Sequence, residues 1–355
     1  DPREPSGYLF SGADAATIRD LPASSFTPYR ASDHLGFLGL PVWLSVDVPE
    51  GEEGVPLFLS IKYALIDEIE VYRARDLVLI YRGGDTLRSP PSVDLFGYAV
   101  PLNEELYGER LLVRLVSHNA LQLDISVETV FDIAGSNTAL WLFYFAATFA
   151  LFVCVLWAVI DLTRSFDTLI FWFLVRVASL AFVLPLHIGV LRAWLTTTEI
   201  PPLDLLQDVS TLLYITIAQL FDYLLVSKVV GKRSARVLFL LVLAATLAKS
   251  LLFAMGEITW ALALNQSSVI VCIVIGVFTL YRHRHMMRSA YYRGVSLYFL
   301  IQSLVVAGLF VSIALSIPLT PLMLALSLIL QGVFSTGFDG NDANATNAGR
   351  LDLGS

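Results

Sequence analysis

Cysteine is almost missing from this chain: two residues among 355, Cys154 and Cys272, and both stand in apolar segments. The first 135 residues contain none, so no disulfide braces that region and it must stand on a hydrophobic core. Charge is scarce as well. Asp, Glu, Lys and Arg make up 15% against 56% apolar residues, a balance that excludes an ordinary soluble fold and implies a membrane solvent. Basic side chains are especially few at the front, where residues 1–135 hold 10 against 21 acidic ones, while residues 136–355 hold 13 against 10. Phosphate binding needs a basic surface, so nucleic acid is excluded as a partner of the front region. A charged leader with an apolar core is absent too: Asp1-Pro2-Arg3-Glu4-Pro5 is polar, and the reading is that the sequence begins after a removed signal.

What is present after Gly135 is long apolar runs. A hydrocarbon core of about 30 Å needs roughly 20 apolar residues in a helix. Seven spans are expected: 138–160, 169–191, 203–226, 237–255, 261–280, 295–314 and a short seventh at 320–336 begun by Pro318 and Pro321. Loops after the first, third and fifth spans hold nine basic residues (Arg164; Lys228, Lys232, Arg233, Arg236; Arg282, Arg284, Arg288, Arg293), whereas the opposite loops hold Arg192 alone. Such asymmetry places the front domain outside and the C-terminus in the cytoplasm. Trp194, Trp260, Tyr291 and Tyr292 fit the interfacial belt.

Within the spans, Arg176 and Asp222 overlap in depth, and they are read either as an intramembrane ion pair or as a snorkelling arginine and an interfacial aspartate. Lys249, His187 and Asp208 are read as reaching the outer surface. No internal repeat appears, and Pro185 is the sole proline well inside a span, which argues against a carrier.

Between Pro41 and Val130 the pattern changes to period two with turn residues between segments, the mark of antiparallel strands. Val42, Leu44, Val46 and Val48 share one face, as do Leu57, Leu59, Ile61 and Tyr63. Further strands are expected at 68–73, 77–81, 97–101, 111–116 and 121–127. The fold class is therefore α+β: a β-sandwich, of jelly-roll type, followed by a seven-helix bundle. Its domains are residues 1–135, 136–336 and a disordered cytoplasmic tail at 337–355.

Five stretches carry a resemblance: Pro41-Val42-Trp43-Leu44; the run from Ala64 to Tyr72; Tyr81-Arg82-Gly83-Gly84-Asp85; Tyr98-Ala99-Val100-Pro101-Leu102; and Leu112 to Ser117. Their order, with the apolar block behind them, resembles the bacterial seven-transmembrane receptors with diverse intracellular signalling modules and their type 2 extracellular sensor. The resemblance implies a jelly roll similar to carbohydrate-binding modules, coupled through the helices to a cytoplasmic output. Family members usually continue into a kinase or cyclase; residues 337–355 are polar and small, so a separate output protein, or an output cut away, is expected.

Chemistry is sparse. No cofactor, metal centre or catalytic cluster is expected, and the chain is not read as an enzyme; Asp208, His187 and Glu257 converging on one pocket would change that. His283 and His285 lie among arginines and read as a solvated, lipid-facing basic loop. Asp339-Gly340-Asn341-Asp342 lacks the rest of a calcium loop. Ligand-binding candidates are Trp43, Tyr72, Tyr81, Arg82 and Arg114, since aromatics stack on sugar rings and arginines bond hydroxyls. Core packing for Trp43 and ion pairing for Arg114 are the alternatives. The expected activity is that of a bacterial inner-membrane sensor of a small periplasmic ligand, a carbohydrate being one candidate, with membrane lipid as its solvent. The alternative is an accessory or transporter-associated protein whose β domain docks a partner. Coupling is expected at a hinge between Asp132 and Thr138.

Overall fold

The computed structural model describes residues 3–30, 33–37, 40–51, 55–62, 66–85, 94, 96–164, 166–187, 203–286 and 290–315. The expected seventh span, the tail with its calcium-like run, Arg192, Trp194, Arg288, Glu52, Glu53, Ala64 and Leu65 lie outside them.

Eleven strands are found among the described residues: β1 (Gly7–Phe10), β2 (Thr27–Pro28), β3 (Asp33–Phe37), β4 (Val42–Asp47), β5 (Leu57–Ile61), β6 (Glu68–Arg73), β7 (Leu79–Gly83), β8 (Tyr98–Leu102), β9 (Arg110–Val116), β10 (Ala120–Leu123) and β11 (Ile125–Thr129). All pairings are antiparallel, in a six-stranded sheet ordered β2-β1-β4-β9-β6-β7, a three-stranded sheet β11-β5-β8 and the pair β10-β3. The chain passes repeatedly from one sheet to the other, and a single core lies between them. Val42, Leu44, Val46, Ile69, Val71, Leu111, Val113 and Leu115 face Leu57, Leu59, Ile61, Tyr98, Val100, Ile125 and Val127 in it. Period-two alternation makes this possible, because every second side chain of each strand turns inward.

Two strand readings are corrected. The expected strand 121–127 is divided at Asp124, whose carbonyl accepts the Lys62 N–H at 2.9 Å; β10 pairs with β3 and β11 with β5. The strand expected from Leu77 begins at Leu79, because Leu77 takes a positive φ of 60° in a turn pinned by Arg73 and Asp76. A short helix, α1 (Ala15–Arg19), is capped by the Asp14 carboxylate accepting from the Thr17 N–H. It closes the outer face of the large sheet with Ile18.

Six long helices follow among the described residues: α2 (Val130–Arg164), α3 (Thr168–His187), α4 (Leu203–Val230), α5 (Arg236–Ala254), α6 (Ile258–Arg282) and α7 (Ala290–Leu315). Five of them, α2 to α6, are long and apolar enough to cross a membrane. The hinge expected at Asp132–Thr138 is corrected: those residues are helical. Thr129 and Asp132 exchange hydrogen bonds, Thr129 N–H to Asp132 Oδ2 at 3.1 Å and Asp132 N–H to Thr129 Oγ1 at 3.3 Å, a reciprocal cap that starts α2 directly from β11.

The chain divides into two compact units, Asp1–Phe145 with Phe182–Thr211, and Ala146–Ala181 with Leu212–Ser355. In the first, Phe96 stacks on Tyr144 with centroids 5.5 Å apart and meets Trp141 edge-on at 5.7 Å, so the start of α2 packs on the sheet domain.

Leu59 is fully buried between the sheets. Leu59→Ala is expected to destabilise the domain by about 2–5 kcal/mol through lost transfer energy and a cavity. Val78→Ala, at an exposed turn, should stay within about 0.5 kcal/mol. Unfolding of the full chain in nanodiscs, followed through the buried Trp43, checks both.

Candidate functional site

Ile69 and Val71 of β6 enter the core, so Glu68, Glu70 and Tyr72 stand on the opposite face of the six-stranded sheet. Register extends that face into a row across five strands: Leu9 opposes Trp43, Trp43 opposes Arg114, Arg114 opposes Glu70, and Glu70 opposes Arg82. One end of the face is apolar, the other charged.

At the apolar end Trp43 is 1% exposed, packed with Ile18, Phe26, Ala74 and Leu112. Its ring lies 6.0 Å from that of Tyr72, and its Nε1 donates to the Ser11 carbonyl at 3.2 Å. Trp43 is thus a packing residue: of its two readings core packing holds, and the stacking platform is corrected. Tyr81 is corrected as well: it is next to Arg82 in β7 and therefore on the other side of the sheet, packed against the core.

At the charged end Arg114 Nη1 donates to Glu68 Oε2 and Glu70 Oε2, both at 3.0 Å. Arg82 Nη2 donates to Glu68 Oε1 at 2.5 Å, and its Nε stands 3.5 Å from Glu70 Oε1. The Tyr72 hydroxyl donates to Glu70 Oε2 at 2.9 Å. Two carboxylates balance two guanidiniums, and the Arg82 side chain remains 56% exposed. Such a patch offers donors and acceptors without net charge. It suits neutral hydroxyl groups better than an anion, which would have to compete with carboxylates already in place. Sequence reasoning found Tyr72, Arg82 and Arg114 but missed Glu68 and Glu70. Alternation along β6 gave the face; the cross-strand register that completes it is not local in sequence.

The Arg82 hydrogen bond, reinforced by Arg114, holds the Glu68 carboxyl below the usual carboxylate range. Burial pushes Asp67 up, against the pull of His118, whose backbone N–H and ring both bond the same carboxylate. Burial and the bond to Glu70 raise the Tyr72 phenol.

A second feature of this unit is an open groove of about 470 Å³ between Val55, Pro56, Leu102–Glu105 and Tyr107. It includes none of the expected site residues. Among the described residues no group of three His, Cys, Asp or Glu side chains is placed to hold a metal.

In the helical unit Arg176 Nη1 of α3 lies 3.6 Å from Asp222 Oδ1 of α4, both side chains buried. The Tyr298 hydroxyl of α7 stands between them, donating to Asp222 Oδ1 at 2.5 Å and accepting from Arg176 Nη1. Gln302 Nε2 donates to the same hydroxyl at 2.7 Å. Tyr298 and Gln302 were not singled out from sequence, since neither carries charge. Lys249 corrects an expectation: it is 1% exposed, donating to Asn265 Oδ1 at 2.6 Å rather than reaching the surface. Asp208 is buried too.

The family model for 7TMR-DISM extracellular 2 matches residues 8–129, from β1 to the last residue of β11. Residues 8–129 thus match the extracellular sensor domain of the 7TMR-DISM family. That 7TMR-DISM domain, joined to helices apolar enough to span a bilayer, makes this a membrane protein with a receptor-like sensor role. The 7TMR-DISM extracellular 2 family is one of receptor sensors, not of enzymes. No curated protein matches the chain.

Acid titration of stability separates the two carboxyls. Glu68, depressed in the folded state, contributes stability that is present above its ordinary value of 4.5 and is lost as pH falls through its lower folded value. Asp67, raised, contributes in the opposite sense, adding stability as pH falls from its raised value toward 3.8. Glu68→Gln should therefore flatten the loss of Tm on acidification, and Asp67→Asn should steepen it, in melting curves of the full chain taken across acidic pH.

Proposed function

We propose that the chain is a bacterial inner-membrane receptor whose sensor domain lies in the periplasm and whose polar patch, Glu68, Glu70, Tyr72, Arg82 and Arg114, recognises a small uncharged polyhydroxyl ligand of the carbohydrate class. The observation that carries this reading is the patch itself: charge-neutral, rich in donors and acceptors, and open to solvent at Arg82. Arginines already paired with carboxylates lose little freedom when a ligand arrives, which favours binding through a preorganised surface. Orientation with the C-terminus in the cytoplasm is supported by nine basic residues on one set of loops against one on the other. The signal passes through the helices to a separate output protein.

A second reading, docking of an accessory or transporter partner, is favoured by the exposed Val78 and Leu79 at the β6–β7 turn. Large apolar side chains side by side at a sheet edge suit a protein contact better than a sugar.

A thermal-shift screen of the full chain in nanodiscs against sugars, cell-wall fragments and divalent cations distinguishes the two. A ligand bound only by the folded state stabilises it by about 2.7 kcal/mol at a hundred times its Kd. The expected result is a shift with one polyhydroxyl class that is lost in Arg82→Ala. This variant should barely change unliganded stability, because the pair it breaks is largely at the surface. A shift retained in Arg82→Ala, or none across the panel, would sink the carbohydrate reading and leave the docking one.

A further inference from the structure

The junction of Arg176, Asp222, Tyr298 and Gln302 is saturated at its centre and unsatisfied at its rim. The Tyr298 hydroxyl gives its one proton to Asp222 and accepts two, from Arg176 and Gln302. Yet Arg176 Nε and Gln302 Oε1, a donor and an acceptor on side chains more than nine-tenths buried, have no partner among the described residues. One turn from Asp222 along α4, Gln219 repeats the pattern: its Nε2 donates to Ser268 of α6 at 2.6 Å, while its buried Oε1 is unpartnered.

A buried polar atom without a partner is costly, and more so beside a charge. Two complementary orphans on α3 and α7, around a bridging hydroxyl that holds an ion pair at 3.6 Å, describe an arrangement that satisfies part of its own hydrogen-bonding capacity. A shift of α7 against α3 that brings Gln302 Oε1 to Arg176 Nε would satisfy the remainder, at the expense of the Tyr298 bridge. Packed interfaces switch between discrete states rather than deform continuously, so the two pairings would belong to separate arrangements.

We propose that this junction is a two-state latch between α3, α4 and α7: the present arrangement is bridged by Tyr298, and a second one is held by Gln302 and Arg176. The latch deepens the receptor reading, as the element through which a stimulus is passed on, but its existence does not depend on what the sensor binds.

The test reads helix separation with no stimulus added, so a failed ligand screen and a failed latch remain distinct. Spin labels are placed at exposed Thr168 and Arg293, at the starts of α3 and α7, in the full chain with Cys154 and Cys272 replaced, in nanodiscs. Electron–electron distance measurements should resolve two populations. Tyr298→Phe removes the bridge and should enrich the second; Gln302→Met removes the alternative acceptor and should leave only the first. One unshifted population in the parent and in Gln302→Met would overturn the latch, and would mean that ordered water satisfies the orphaned atoms of a fixed strut. The Gln302→Met arm keeps the test decisive if Tyr298→Phe fails to fold.

Discussion

The hand-over from β11 to α2 is the constraint on which the rest of the molecule depends. Five consecutive residues of β11 are registered against β5, and the next residue begins a helix. No loop intervenes to absorb motion. The reciprocal bonds of Thr129 and Asp132 satisfy the first donors of α2 at the point where the sheet ladder ends. Phe96 then secures the following turns through Trp141 and Tyr144. An extracellular domain without disulfides needs its core to be cohesive for this arrangement to matter, and the shared core between the two sheets supplies that cohesion.

The outer face of the large sheet shows how one pleated surface serves two purposes. Toward β1 it is roofed by α1 and behaves as a second, small core around Trp43. Toward β7 no described element covers it, and there part-buried carboxylates and guanidiniums neutralise one another across strands, with Arg82 exposed. Cross-strand opposite charges stabilise a sheet modestly, so the row is compatible with structure alone. Its preorganisation and partial exposure are what make it a candidate for recognition.

Much of the sheet domain was legible because one face of each central strand is buried, which forces alternation on Val42–Val46, Leu57–Ile61 and Leu111–Leu115. β1, β2 and α1 were not, since they are too short to display a period and are fixed by pairing with β4 or by packing on Trp43. For the charged row, sequence supplied the members Arg82 and Arg114 but not their partners, because register is settled by contacts between strands, 14 positions apart for Arg82 and Glu68 and 46 for Arg114 and Glu68. In the helices, charge drew attention to Arg176 and Asp222, whereas the neutral Tyr298 that joins them carries no such mark. Lys249 was misplaced for a related reason: snorkelling assumes that water is the only acceptor within reach, and Asn265 provides another.

The unbroken run of α2 has a mechanical meaning. Thirty-five residues at 1.5 Å each make a rod of about 50 Å, stiffened by hydrogen bonds along its whole length. Pivoted at Thr129, a tilt of about 5° carries Phe145, about four turns on, sideways by roughly 2 Å. A rearrangement too small to alter the shape of the sensor domain is magnified along the helix that leaves it.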